Sequence, residues 1–218
     1  MEDRLTDGVY MELGDIDPDR YGRERAGELL RLRGVSRVSW WENCHVGRQD
    51  LAAKVPEGTL LGLAEVDEEF VAPEPPEGAL ARHFVRHPRP SQGILSGLPT
   101  TGLLVVWISP KSPELTQSLR DWADFVHLRH IAAAGVPGFT QITPFDHAGE
   151  GDPRFMHLYE LDTDDPEATF AAMPGHVVPR LGGEQSDEYR RWADLRAAGG
   201  YIVYVNTFRL LGSREDTG

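Results

Sequence analysis

The chain has 218 residues, and 40% of them are apolar, which is enough to bury a sizeable core in one large domain or two small ones. Its 22 Lys and Arg residues are outnumbered by 35 Asp and Glu residues, and the net charge of −13 disfavours nucleic acid and membrane surfaces as partners, because both are anionic. No apolar run is long enough to cross a bilayer, the first residues lack a signal-peptide pattern, and the single cysteine, Cys44, excludes an intrachain disulfide, so we expect a cytoplasmic protein.

The first half of the chain has the pattern of four strands around one amphipathic helix. Residues 21–33 are rich in helix formers, place Ala26, Leu29 and Leu30 near one side, and are closed by Gly34. Apolar runs, some of them alternating with polar residues, predict strands at 9–13, 35–41, 59–66 and 79–85. Prolines between the third and fourth of these strands exclude a regular ladder there, and a second helix is doubtful.

The second half restarts the pattern after a connector at 86–101 that is rich in Pro, Gly and Ser. A helix begins at Ser112, followed by Pro113 at its first position, and it runs to about Ala134. Its apolar face carries Leu115, Leu119, Trp122 and Val126. Further helices are predicted from Pro166 and at 187–198, and strands are predicted at 102–109, 139–145, 155–161 and 201–208.

Each half therefore follows the order strand–helix–strand–strand–helix–strand, which is the order of a ferredoxin-like unit. We predict an α+β fold made of two such tandem repeats, residues 1–96 and 97–218. Strands 103–108 and 201–205 are apolar on both sides, so the sheet face that turns away from the helices also needs a partner. The simplest partner is the sheet of the other half. This predicts two four-stranded antiparallel sheets packed as one α+β barrel, with helices outside and a ligand cleft between the sheets.

Three segments of the second half, Gly102–Ser109, 122–139 and 155–166, resemble the dimeric α+β barrel superfamily, in particular EthD-like proteins and related small cyclases, isomerases and monooxygenases. In that group a helix with Trp and a following His-Leu pair commonly leads into a Pro-Gly turn, here Trp122, His127, Leu128, Pro137 and Gly138. The usual Tyr and Pro are replaced by Ala123 and Arg129, and the first half lacks the His. The resemblance implies small-molecule chemistry without a cofactor. Because relatives with one repeat per chain dimerise to close the barrel, it also implies a monomer or homodimer of barrels.

His127 is the leading candidate for catalysis, because a neutral imidazole can take or give a proton near pH 7. The alternative is that it caps or packs near the helix end. His157 and Tyr159 alternate along one strand and therefore share a face. On an inner face they would reach the cleft as base and donor, whereas on a helix-facing side they would be core residues. Their position beside apolar Met156 and Leu158 favours the cleft.

Aromatic side chains predict flat apolar walls for a ring-containing ligand, although core packing is the alternative for each of them. The candidate ligand-binding residues are Tyr10, Trp40, Trp107, Trp122 and Tyr204. Tyr201 and Tyr204 are expected on opposite faces of the last strand, so only one of them can line the cleft.

One basic cluster stands out on this acidic chain: Arg82, His83, Arg86, His87 and Arg89. It either binds a ligand carboxylate or phosphate or, in the interpretation we favour, pairs with neighbouring acids. No carboxylate lies at helix spacing from both His127 and His130, so no metal site is expected.

Three functions remain open. The first, which we favour, is a cofactor-free enzyme that transfers protons on a small apolar or aromatic ring compound, as a cyclase, isomerase, lyase or monooxygenase does. The second is a binding or accessory protein with the same cleft and no turnover, which would fit the departures from the family pattern. The third is a non-covalent haem protein with His127, His130 or His176 as the ligand.

Overall fold

The computed structural model describes residues 6–48, 51 and 54–215 of the chain. These residues form the strands β1 Gly8–Gly14, β2 Val35–Asn43, β3 Leu60–Val66, β4 Leu80–Arg86, β5 Gln92–Gly93, β6 Gly102–Pro110, β7 Phe139–His147, β8 Phe155–Leu161 and β9 Gly200–Glu215. They also form the helical segments α1 at 18–30, α2 at 113–134, α3 Pro166–Arg180 and α4 Asp187–Ala193. The fold is therefore mixed α+β.

Most predicted elements are present within a few residues of their expected positions. Gly34 follows α1 with φ of +82°, a conformation that glycine adopts without steric cost. Two predictions were wrong in length: α4 ends at Ala193 instead of reaching 198, and β9 continues to Glu215. The doubtful second helix of the first half does not form, and residues 67–79 contain no helix.

All strand pairs are antiparallel, and eight of the strands close into a barrel. The order is β4-β1-β3-β2-β9-β6-β8-β7, and the pairing of β4 with β7 closes the circle. The short β5 adds to β7 through Gln92 and Gly93. The order β4-β1-β3-β2 in the first half is repeated as β9-β6-β8-β7 in the second half. Two seams therefore join the halves, one between β2 and β9 and the other between β4 and β7.

The additional length of β9 builds the first seam. Residues Phe208–Glu215 pair with Asn43–Arg37 of β2. This stretch of β9 is mostly exposed and polar. A central strand normally shows an apolar face, so the side-chain pattern does not predict that β9 extends beyond residue 208.

The barrel interior is filled by side chains from both halves. This interior cluster comprises Val9, Met11, Leu13, Trp41, Leu61, Leu63, Phe84, Leu103, Val105, Trp107, Phe145, Met156, Leu158, Val203, Tyr204 and Phe208. Each of them is at most 2% exposed. The expectation of two separate sheets with a cleft between them is therefore wrong: the strands form one continuous barrel, and its centre is an apolar core.

The opposite side of the strands packs against helices. Leu29 of α1 lies in a cluster with Tyr10 of β1 and Val38 of β2. Leu128 of α2 and Val177 of α3 lie in another cluster, which also contains outward residues of β6, β7 and β8. None of the helices in the described part of the chain combines the length and apolar character that a membrane crossing requires.

A bulge in β9 changes the expected facing of two tyrosines. Trp107 pairs with Tyr204 but the next residue, Ile108, pairs with Ile202, so Val203 is an extra residue in the ladder. As a result Tyr204 belongs to the interior cluster and Tyr201 packs against it. The prediction that these two tyrosines lie on opposite faces was wrong for this reason.

Candidate functional site

A buried charged cluster lies between helix α2 and the outward face of β7 and β8. Arg120 and Asp124 are four residues apart on α2 and therefore lie on one side of the helix. They are 3% and 2% exposed, and His157 of β8 is 2% exposed. Charged residues are rarely buried to this extent unless they are paired, so the cluster is the most unusual feature of the second half.

Arg120 is held by one carbonyl group, one carboxylate and one ring. Its Nη2 donates to the backbone oxygen of Phe145 at 3.2 Å and to the carboxylate of Asp146. Its guanidinium lies 3.8 Å from the ring centre of Phe155. Asp124 accepts a hydrogen bond of 2.7 Å on Oδ2 from Nη1 of Arg89.

Three polar atoms of this cluster have no hydrogen-bond partner among the described residues: Nη1 of Arg120, Oδ1 of Asp124 and Nε2 of His157. The last two are 3.7 Å apart, which is beyond hydrogen-bonding reach. More than about 90% of buried polar groups in proteins are bonded, so three unbonded atoms in one cluster are unexpected. Together they offer one donor, one acceptor and one imidazole nitrogen to a polar group of a ligand.

Burial and charge set the protonation of the cluster. Burial lowers the pKa of His157 below its usual range, and Asp124 offsets this only in part. Burial alone would raise the pKa of Asp124, but His157, Arg89 and Arg120 together hold it below its usual range. At neutral pH the pair is therefore a neutral imidazole beside a carboxylate. In this state the imidazole can act as a general base, and the carboxylate can stabilise the imidazolium that forms when it takes a proton.

Residues 87–93 cross over the cluster, and we call this segment the strap. His87 binds Asp146 at 2.7 Å, and Nη2 of Arg89 donates to Asp121 at 2.5 Å. Nε2 of Gln92 donates to the backbone oxygen of Asp124 at 2.8 Å. The strap is tied to the barrel by the two residue pairs between β5 and β7. A hydrogen bond of 2.9 Å between the hydroxyl groups of Ser91 and Thr143 also holds the strap, so it covers this side of the cluster.

Helix α2 has a π-helical turn at Ala123–Leu128, which includes Asp124 and His127. Such turns are rare and occur frequently at functional sites. Helix α1 has a similar turn at Tyr21–Arg25. Neither π-helical turn was predicted from the sequence.

His127 of α2 is half-buried between two tryptophan rings. Its ring centre is 4.9 Å from that of Trp122 and 5.0 Å from that of Trp192. Its Nδ1 lies 3.0 Å from the backbone oxygen of Trp192 and therefore carries the proton, since a carbonyl only accepts. Burial lowers the pKa of His127 to about 4, and the nearby His157 lowers it further.

Four of the predicted site residues lie on α2 or on the helix-facing side of β8. Trp122 and His127 are on α2, and His157 and Tyr159 are on β8. The inner-face expectation for His157 and Tyr159 was wrong, because their neighbours Met156 and Leu158 point into the barrel. Tyr159 packs 5.7 Å from the ring of Phe139, and burial raises its pKa above the usual range.

The remaining predicted aromatic residues lie elsewhere. Trp107 and Tyr204 are inside the barrel, with ring centres 5.1 Å apart. Tyr10 and Trp40 pack with α1 in the first half. The structure therefore does not gather the predicted aromatic set around one ligand.

Sequence reasoning missed Arg120 and Asp124. The available signal was a charged pair at i and i+4 bordering the apolar stripe of α2, next to Leu119 and Ala123. Such pairs are usually solvated, so the pattern alone does not reveal burial.

The first half holds a different charged cluster. Glu12 is fully buried on β1, and its carboxylate accepts from the Tyr21 hydroxyl at 3.0 Å and from Nη2 of Arg25 at 2.6 Å. A surface cavity of about 520 Å³ adjoins Tyr21 and Arg25. Because both Glu12 oxygens are bonded, this cluster offers a ligand no unpaired buried atom. In the described part of the chain, no group of three His, Cys, Asp or Glu residues is placed to hold a metal ion.

Comparison with known proteins gives similarity in structure only. No family model and no curated protein matches the sequence. An anthrone oxidase-like protein has a similar structure with a TM-score of 0.59 and 14% identity, covering 97% of this chain and 93% of that chain. A candidate monooxygenase from Fusobacterium nucleatum gives 0.54 and 6%, covering 98% and 96%. A major regulator of staphylococcal pathogenesis gives 0.54 and 10%, covering 93% and 98%. These similarities show that the chain shares the fold of these three proteins.

Proposed function

We propose that this chain is a small-molecule enzyme that transfers a proton at the His157–Asp124 pair. The three unpaired buried atoms of Arg120, Asp124 and His157 are the observation that supports this proposal most directly. The site lies between α2 and the sheet instead of inside the barrel. The substrate class is a small, mostly apolar ring compound with an acidic C–H or O–H group.

Each group has a distinct role in this proposal. Neutral His157 takes the proton from the substrate, and the carboxylate of Asp124 stabilises the imidazolium that forms. The free Nη1 of Arg120 donates to the oxygen on which the negative charge of the substrate anion develops. Isomerisation, cyclisation and cofactor-free oxygenation can each begin with this step. The names of two structural neighbours, anthrone oxidase-like protein and candidate monooxygenase, agree with the last of these reactions.

The architecture belongs to the same proposal. The repeated strand order suggests two fused ferredoxin-like repeats, residues 1–96 and 97–218, with an EthD-like second half. A chain that closes its own barrel fits a monomer or a homodimer of barrels, and the single cysteine fits a cytoplasmic location. No cofactor is required by the chemistry proposed. The haem alternative is not favoured by its three candidate ligands, since His127 lies between two indoles, His130 lies 3.9 Å from Glu188, and His176 is exposed on α3.

A non-catalytic ligand-binding or accessory protein is the second candidate. It is favoured by the closed strap, whose residues Arg89 and Gln92 are bonded directly to Asp124. In that case the charged cluster stabilises the fold and fixes the strap.

Anthrone under air is the first probe, because its methylene C–H is acidic and its oxidation balances simply. One anthrone and one dioxygen give one anthraquinone and one water. We expect wild-type protein to take up oxygen faster than the uncatalysed reaction. The catalysed rate of His157→Gln should be about 10²–10⁴-fold lower than that of wild type, and the rate of the matched variant His130→Gln should equal that of wild type. The wild-type rate should fall as the pH is lowered towards the depressed pKa of His157, because the base must be neutral.

A second readout under argon isolates the proton transfer. Deuterium exchange of the anthrone methylene, followed by NMR, should be accelerated by wild-type protein and not by His157→Gln. Exchange without oxygen uptake would keep the proton-transfer role and exclude the oxidase reaction. If neither rate exceeds the background, or if His157→Gln matches wild type in both, the accessory-protein candidate replaces the enzyme.

A further inference from the structure

The barrel interior has a basic mouth at the end where β4 begins and β7 ends. Phe84 of β4 pairs with His147 of β7, and their ring centres are 5.5 Å apart. Because alternate strand residues share a face, Arg82 lies on the inward side with Leu80 and Phe84, and His147 with Phe145. Arg154 precedes β8, and its backbone oxygen accepts from the backbone nitrogen of His147 at 3.1 Å.

These three basic groups are not neutralised by acids. No described residue forms an ion pair with Arg82, His147 or Arg154. Burial lowers the pKa of Arg82, and burial together with Arg82 and Arg154 lowers the pKa of His147. The two guanidinium charges of Arg82 and Arg154 are therefore left without an acidic partner among the described residues, which is unexpected on a chain of net charge −13.

Two other members of the basic cluster predicted from the sequence, His87 and Arg89, are paired with acids. His87 binds Asp146 and Arg89 binds Asp121 and Asp124, as expected for pairing with neighbouring acids. Asp146 is adjacent to His147 in sequence but points to the opposite face, where it binds Arg120. Arg82 is thus separated from those acids by the sheet itself.

Unpaired polar atoms continue from the mouth into the barrel. Nε of Arg82, Nδ1 of His147, Nε1 of Trp107 and the hydroxyl of Tyr204 are buried and have no hydrogen-bond partner among the described residues. Trp107 and Tyr204 are each 1% exposed. Their rings are linked in a chain, since Trp107 lies 5.1 Å from Tyr204 and 5.7 Å from Phe84. The buried polar atoms without a hydrogen-bond partner therefore extend from Arg82 and His147 at the mouth to Trp107 and Tyr204 inside the barrel.

We propose that this mouth binds a small oxyanion, with Arg82 as the principal pairing residue and His147 and Arg154 at its sides. A guanidinium can hold a carboxylate or phosphate through two parallel hydrogen bonds, and the partly buried position strengthens this pairing. The site is on the opposite side of the sheet from the His157–Asp124 pair and is independent of the function proposed there. Two kinds of ligand can supply this oxyanion: free phosphate and the carboxylate of an organic acid.

Titration calorimetry with inorganic phosphate and with benzoate tests the proposal. We expect wild-type protein to bind at least one probe and Arg82→Gln to bind it at least about 10-fold more weakly, as for the loss of a charge-assisted pair. The matched control is Arg33→Gln, which removes the same charge from an exposed pair with Glu69. This control should bind like wild type. Binding of phosphate alone identifies free phosphate as the source, and binding of benzoate alone identifies an organic carboxylate.

Arg82→Lys provides a second measurement if Arg82→Gln does not fold. It retains the charge without the planar pair of donors, so we expect it to fold and to bind the probe more weakly than wild type. The proposal is overturned if neither probe binds wild-type protein, if Arg33→Gln loses as much affinity as the Arg82 variants, or if Arg82→Lys binds as tightly as wild type.

Discussion

The surroundings of His127 fix the protonation state of its ring. The Trp-His-Leu pattern singled it out, and the structure places it between Trp122 and Trp192 with its Nδ1 proton on a carbonyl. This arrangement leaves Nε2 unprotonated at neutral pH. It also makes the fold sensitive to acid, because the packed ring is held in its neutral form.

The stability of the protein should decrease on acidification in a way that depends on His127. The pKa is about 4 in the folded protein and 6.5 in the unfolded chain, so the unfolded chain binds the extra proton between these values. The stabilising contribution is present above 6.5 and is lost as the pH falls towards 4. We expect the free energy of unfolding to drop by about 1–2 kcal/mol between about pH 7 and pH 5.

Urea unfolding at the two pH values, monitored by circular dichroism, measures this drop. His127→Gln should lose most of that pH dependence, whatever its stability at neutral pH. His130→Gln is the control, since its side chain is 25% exposed and lies 3.9 Å from Glu188. An unchanged pH dependence in His127→Gln would show that other groups cause the acid sensitivity.

Whether a polar residue is buried was the main thing that the sequence could not show at this scale. Arg120 and Asp124 have the spacing of an ordinary exposed helix pair, and only the packing of α2 on β7 and β8 makes them part of a buried cluster. Conversely, Tyr10 and Trp40 were expected to line a ligand cleft but pack under α1. The face of the sheet on which such a residue lies depends on its position in the alternation along the strand, and a shift of one residue moves it to the opposite face.

At the scale of elements, one glycine sets the distance between α1 and the sheet. A Cβ on Gly62 of β3 would lie 1.9 Å from the hydroxyl oxygen of Tyr21. That hydroxyl donates to buried Glu12, which is also bound by Arg25. The helix can therefore approach the sheet this closely only because β3 has no side chain at this position.

Gly62→Ala should destabilise the protein by about 1–3 kcal/mol, because the added methyl group forces Tyr21 away from Glu12. Gly175→Ala in α3 is the matched control, since nothing lies within 4 Å of its Cβ position and alanine favours the helix. Denaturant titration of both variants gives the comparison. Equal stability of the two variants would mean that α1 shifts without cost.

Helices and strands with a clear pattern of apolar side chains could be predicted from the sequence. Segments that are strands only because their backbone pairs with a neighbouring strand could not. Strands β6 and β8 consist mostly of apolar residues and were found in the expected places. The polar end of β9 could not be recognised, because its backbone pairing with β2 leaves no mark in the side-chain pattern. The bulge at Val203 is likewise a property of the ladder between two strands.

For the whole molecule, the two seams make each half dependent on the other. Residues 37–43 of the first half pair with β9, and residues 84–86 pair with β7. The interior cluster takes Met11 and Leu63 from the first half and Trp107 and Leu158 from the second. The sequence predicted the repeated pattern and the burial of the inner faces. It did not predict that the two sheets would be joined edge to edge, since edge pairing depends on backbone geometry.

We therefore expect neither residues 1–96 nor residues 97–218 to fold as a monomer. An isolated half would expose the inner face of its sheet and two unpaired strand edges, which favours association or unfolding. Mixing the two separately produced segments should restore near-ultraviolet circular dichroism and a cooperative thermal transition, and sedimentation should show a one-to-one complex. The intact chain supplies the reference spectrum. Cooperative unfolding of a single half that sediments as a monomer would contradict the dependence and would make each half a domain in its own right.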